Sequence, residues 1–163
     1  MDRMRLFPLN TGVSEIRGIV EIIKDNGRMI EMSKLAEETN DDIDDLFPLI
    51  DTCVMLRLCT ISKGVVKLTK SGSELASHNT KELFSKALRK VEPFKSAMAM
   101  VGREGLTTKE LASKLGKKGV SFHPDDITNR ELLKNLLVKW GVTNNLFHYD
   151  GSIDLWSKYT ANR

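Results

Sequence analysis

A chain of 163 residues with 40% hydrophobic and 29% charged residues has the make-up of an ordinary globular protein, which excludes fibrous, low-complexity and intrinsically disordered classes. The formal charge of +3 conceals an asymmetry: residues 1–79 hold 10 Lys and Arg against 13 Asp and Glu, a net of −3, whereas residues 80–163 hold 15 against 9, a net of +6. No run approaches a membrane span and the N-terminal MDRMRLFPLN has no apolar secretory core, so no membrane insertion and a cytoplasmic location are expected.

In chain order, VSEIRGIVEIIKDNG places Ile16, Ile19, Val20 and Ile23 at i, i+3, i+4 and i+7, an apolar helical stripe that ends at Gly27. MSKLAEETN reads as a short second helix with Ser33 as N-cap. DDIDDLFPLIDTCVMLR reads as a third, with Leu46, Leu49, Ile50 and Val54 inward and Pro48 marking a start or a kink. CTIS and VVKLT then flank Lys63-Gly64, a tight hairpin signal, and LTKSGSELA leads into a helix at Ser71 or soon after.

NTKELFSKALRKV reads as a connecting helix. EPFKSAMAMVGREG follows, with Phe94, Ala97, Met98 and Val101 on one face and Gly105 closing it. Two capping boxes, Thr107 to Glu110 and Thr128 to Glu131, open TTKELASKLG and TNRELLKNLLVKWG. LFHYD and SIDLW alternate like half-buried strands around a turn at Asp150-Gly151.

Three helices and a hairpin thus occur twice, in residues 13–69 and 93–157. The expected fold is mainly α with small β-hairpins, an α+β chain of tandem winged-helix (helix-turn-helix) modules. Residues 1–79 form the first, and residues 80–163 hold the connecting helix and the second.

The chemistry-bearing motifs are missing. There is no phosphate-cradling G-x-x-x-x-G-K-[ST], since Gly116-Lys117-Lys118 lacks the preceding glycine and the following hydroxyl. Neither H-E-x-x-H, G-x-S-x-G nor a calcium loop occurs, and His78, His123 and His148 stand far apart. Cys53 and Cys59 have no further Cys or clustered His to complete a zinc set and read as small buried hydrophobes. No enzyme activity, metal or cofactor is expected.

Several runs resemble one family: LFPLNTGVSEIRGIVEII, LAEETNDDIDDLFPLIDTCVMLRL, VVKLTKSGSELA, KELFSKAL and LLVKWGVTNNLFHYDGSIDL, together covering roughly residues 6–156. They are similar to the AAA-associated C-terminal domain of nitrate-, sulfonate- and bicarbonate-type ABC-transporter ATP-binding proteins. The most specific pieces are the run from Gly12 to Gly18 and Asp44-Asp45-Leu46-Phe47-Pro48-Leu49. In the fused proteins an ATPase with Walker motifs comes first, and here none does, so the free-standing form of the domain is expected. The resemblance implies an accessory or regulatory module associated with a transporter ATPase, with no catalytic residues to carry over.

Two readings of function follow. As a protein-interaction module, the chain would dock on an ATP-binding subunit through Glu15, Arg17, Asp41, Asp42, Asp44 and Asp45. The bland account is that Glu15 and Arg17 serve only their own helix, and that the acids favour a helix start. As a DNA-binding transcriptional regulator, it would use Arg130, Lys134 and Lys139 on the reading helix, with phosphate contacts from Lys114, Lys117 and Lys118. The acids of the first module's third helix would repel phosphates, so only the second module suits duplex DNA, and its basic residues also fit a solvated face. A homodimer would match the half-sites of a DNA regulator, although two modules in tandem can mimic one.

Overall fold

The computed structural model describes residues 5–77 and 80–161. Within them helices combine with two small antiparallel sheets, an α+β chain that divides into two compact units. No helix among the described residues is long and apolar enough to cross a membrane.

The N-terminal unit spans Asn10–Leu83. Its first helix, α1 (Val13–Asp25), buries Ile16, Ile19, Val20 and Ile23, the stripe that the spacing predicts. A strand absent from the sequence reading, β1 (Met29–Glu31), leads into α2 (Met32–Thr39). Because the strand runs directly into the helix, the N-cap is Glu31 and not Ser33, and the Met32 N–H is taken by the Gly64 carbonyl at 2.9 Å. Asn40 closes α2 in the left-handed conformation, which asparagine tolerates.

Helix α3 (Ile43–Met55) buries Leu46, Leu49, Ile50, Thr52 and Cys53, while Val54 is only half-buried. Pro48 lies within its sixth position and neither starts nor ends it; the missing N–H leaves the Asp44 carbonyl without its helical donor. Strands β2 (Cys59–Ser62) and β3 (Val65–Leu68) form the expected hairpin, with Lys63 and Gly64 both at positive φ (51° and 76°) as a two-residue primed turn requires. The sheet order is β1-β3-β2, with Ile30 opposite Val66 and Cys59 opposite Leu68. Helix α4 (Lys70–Leu75) follows at once, its N-cap Thr69 accepting the Gly72 N–H.

The C-terminal unit comprises Phe84–Arg163 and the described residues up to Leu9, so the division falls within α5 (Thr80–Leu88). Asn79, the expected start of that helix, lies outside the described residues. Residues 5–9, grouped with the N-terminal module in the sequence reading, pack here because Phe7 is an aromatic core residue. Its ring meets Phe94 at 5.3 Å and Trp140 at 4.9 Å, both edge-on, and Phe84 meets Trp140 at 5.4 Å. Burying one such ring contributes about 2 kcal/mol, with the edge-on pairs adding to it.

Helix α6 (Phe94–Met100) buries Phe94 and Ala97 and leaves Met98 half-buried. Helix α7 (Thr108–Lys117) opens with the predicted box: Thr107 Oγ1 accepts the Glu110 N–H at 3.2 Å, and Glu110 Oε1 accepts the Thr107 N–H at 3.1 Å. The second box does not form. Helix α8 (Asp126–Leu136) begins earlier than expected, with Asp125 as N-cap accepting from the N–H (2.9 Å) and hydroxyl (2.7 Å) of Thr128. A charged acceptor at a helix N-terminus wins over a neutral one three residues further on, since it also meets the helix dipole.

Residues Leu137–Val142 continue α8 as a π-helical segment, ended by Leu146 N–H to the Gly141 carbonyl at 2.8 Å. A Cβ on Gly141 would stand 2.7 Å from the Phe147 ring, so glycine lets that ring close against the segment. The second hairpin, β4 (Phe147–Asp150) and β5 (Leu155–Lys158), turns over Gly151–Asp154 instead of tightly at Asp150-Gly151. Asp150 Oδ1 accepts the Ser152 N–H and hydroxyl, which holds the wider loop. Leu106 bridges Trp156 by two backbone hydrogen bonds of 2.9 and 2.8 Å, in the chain position that β1 occupies in the other unit.

Candidate functional site

The start of α3 sets four carboxylates beside an exposed apolar pair. Asp42 is the N-cap, Asp44 and Asp45 lie in the first turn, Asp41 precedes them, and all four are exposed. None is needed as a side-chain cap: the Asp42 side chain takes no capping hydrogen bond. The helix dipole favours the acids here without fixing their geometry.

Ile43 and Phe47 stand one turn apart on the same helix, 40% and 47% exposed, along the solvent-facing edge of the buried stripe of Leu46, Leu49, Ile50 and Cys53. In the sequence this surface is marked by its acids alone, because Ile43 and Phe47 share an i, i+3, i+4, i+7 spacing with Leu46 and Ile50 and their exposure depends on which face of the helix the core takes.

Glu15 and Arg17, placed on the same surface by the sequence reading, lie on α1 and serve it locally. Glu15 Oε1 accepts the Gly12 N–H at 3.0 Å, and Arg17 Nε donates to Glu21 Oε1 at 3.2 Å in an exposed i,i+4 pair. Such a pair contributes a few tenths of a kcal/mol, about 0.3–0.5.

The basic residues divide into three places. Lys114 and Lys117 fall in the last turns of α7 and Lys118 at its C-cap, where cations meet the negative end of the dipole. Lys139 is exposed on the π-helical segment. Arg130 and Lys134 of α8 instead line a groove of about 310 Å³, with Lys109, Ile127, Tyr149 and Asp154.

Within that groove the chemistry is internally balanced. Lys134 Nζ sits 5.4 Å above the centre of the Tyr149 ring. The Tyr149 hydroxyl donates to Asp154 Oδ1 at 2.7 Å, as does the Thr108 hydroxyl at 2.6 Å, and the Thr108 N–H reaches Oδ2 at 3.3 Å. Thr108 Oγ1 in turn accepts the Trp156 indole N–H at 2.8 Å. Burial opposes ionisation of Asp154, but the hydrogen bonds from Thr108 and Tyr149 outweigh it and hold the carboxyl below its ordinary range. This network was not legible in the sequence, since it joins Thr108 to Asp154, 46 positions along the chain.

His123 and His148 have structural partners: His123 Nδ1 accepts the Asp125 N–H at 3.0 Å and His148 Nε2 accepts the Thr160 N–H at 3.1 Å. His78 lies outside the described residues.

A family model described as the C-terminal AAA-associated domain matches residues 33–150, well over half of the chain, from α2 to the end of β4. The match includes the whole of α3 and most of the groove beside α8. No curated protein and no solved structure matches the chain. The chain belongs to the C-terminal AAA-associated domain family.

Proposed function

We propose that this chain is a non-enzymatic accessory module of two winged-helix units that docks on the ATP-binding subunit of an ABC-type transporter, on the cytoplasmic side. The observation that carries the reading is the exposed Ile43–Phe47 pair set among Asp41, Asp42, Asp44 and Asp45. An apolar anchor with a charged rim is the composition of an interaction surface: the anchor supplies affinity by burial, and the acids steer a basic-rimmed partner and reject an acidic one. The partner surface is therefore an apolar hollow edged by Lys and Arg. Family membership supplies the context, since the family is named for its association with AAA-type ATPases.

The winged-helix assignment is supported by the order helix, strand, helix, helix, hairpin in the N-terminal unit, with β1 added to β3, and by the Leu106–Trp156 bridge at the equivalent place in the other. The test is a titration of the purified ATP-binding subunit with this protein and with Asp41, Asp42, Asp44 and Asp45 replaced by Asn. Binding that weakens in the variant, with an unchanged circular-dichroism spectrum, supports the surface; equal affinity removes it.

A second reading, duplex-DNA binding by the C-terminal unit, draws on the exposed Lys114, Lys117, Lys118 and Lys139. It is disfavoured at Lys134, which is occupied with Tyr149 and Asp154. A homodimer belongs to this reading. Anisotropy of a labelled duplex at low and physiological salt separates the two: phosphate contacts give a steep salt dependence.

A further inference from the structure

The C-terminal unit carries a second groove, of about 450 Å³, with a chemistry unlike the first. Three cations reach it from three separate elements: Arg89 just beyond α5, Lys95 on α6 and Lys158 at the end of β5. Among the described residues no carboxylate lines it. Its remaining walls are apolar or aromatic: half-buried Met98, exposed Ala99, buried Leu146 beneath them, and Tyr159, 38% exposed. The Tyr159 N–H donates to the Leu146 carbonyl at 3.3 Å and its ring lies 5.0 Å from His148, so the aromatic wall is held in place.

Three like charges around one concavity repel one another and raise a positive potential that an anion relieves. A carboxylate offers one charge in one plane. A phosphate monoester offers a charge of about −1.5 to −2 near neutral pH and three acceptor oxygens, which suits cations arriving from three directions. Arg89 adds a planar fork able to bind two of those oxygens. The apolar wall calls for more than a bare anion: a body that covers Met98, Ala99 and the free part of the Tyr159 ring gains by leaving water.

We propose that this groove binds a small phosphate monoester with an aromatic or apolar body, the phosphate among Arg89, Lys95 and Lys158 and the body against Met98, Ala99 and Tyr159. The site is independent of the α3 surface. The test is an amide NMR titration at low salt with phenyl phosphate as probe, and with inorganic phosphate and benzyl alcohol as separate arms. Phenyl phosphate should shift the Lys158 and Tyr159 amides and bind at least roughly tenfold tighter than inorganic phosphate, with benzyl alcohol not binding. Replacing Lys95 and Lys158 by Ala should weaken phenyl phosphate by at least about tenfold while leaving the spectrum folded, and Lys109→Ala should change nothing. Equal affinity for phenyl and inorganic phosphate would overturn the proposal, as would binding untouched by the double variant. Displacement of phenyl phosphate by a short DNA duplex, itself dependent on Lys95 and Lys158, would assign the groove to a nucleic-acid backbone and overturn it too.

Discussion

Asp154 ties the loop of the second hairpin to the start of α7 by accepting both the hydroxyl and the backbone N–H of Thr108, at 2.6 and 3.3 Å. Asp154 also holds a positive φ of 50°, which Asn tolerates as well as Asp. Asp154→Asn therefore removes the charge and part of the hydrogen bonding without backbone strain, and should lower stability by about 1–2 kcal/mol at neutral pH. The carboxyl is held below its ordinary range in the folded chain, so its contribution is complete above the unfolded value and is lost as pH falls through the folded one. Urea unfolding at a series of pH values should show a constant gap between wild type and variant near neutrality and a narrowing gap in acid. A gap that widens in acid contradicts this account.

Gly72 and Gly18 should respond oppositely to the same substitution. A Cβ on Gly72 would lie 2.0 Å from the Leu58 carbonyl oxygen, a backbone atom that cannot move aside, whereas nothing lies within 4 Å of one on Gly18 in the middle of α1. Gly72→Ala should cost more than about 2 kcal/mol through overpacking. Gly18→Ala should gain about 0.5–1 kcal/mol through helix propensity. Thermal melts of the two variants measure both signs at once.

Cys53 and Cys59 are both free thiols and both buried. A hydrogen bond with Cys59, together with burial, pushes the Cys53 thiol well above its ordinary pKa, which suppresses the reactive thiolate. Neither thiol should react with Ellman's reagent in the native protein over minutes, and two should react in denaturant. Rapid native labelling would mean that α3 and β2 open far more readily than their packing implies.

What could be read from the sequence was local. The stripe of Ile16, Ile19, Val20 and Ile23, the Lys63-Gly64 turn and the Thr107–Glu110 box each depend on residues within a few positions of one another. β1 was not legible, because three residues become a strand only by pairing with Val65–Lys67, far along the chain. The start of α8 was misread because Asp125 and Thr128 are both competent caps, and their ranking depends on charge at the helix end. The place of Phe7 was hidden for the same reason as β1: its ring partners, Phe94 and Trp140, lie in the distant half of the chain. Of the proposed docking surface, the acids were legible as composition, whereas the exposure of Phe47 required knowing which face of α3 the core takes.

Calorimetric titration of the ATP-binding subunit with an Ile43→Ser, Phe47→Ser double variant decides whether that face of α3 is the proposed docking surface. Both side chains are exposed, so the fold should survive, as an unchanged circular-dichroism spectrum would verify. Loss of an aromatic anchor at the centre of an interface costs about 2 kcal/mol or more, so affinity should fall by roughly thirtyfold or beyond. Affinity within about twofold of wild type would show that α3 is not where this protein meets its partner.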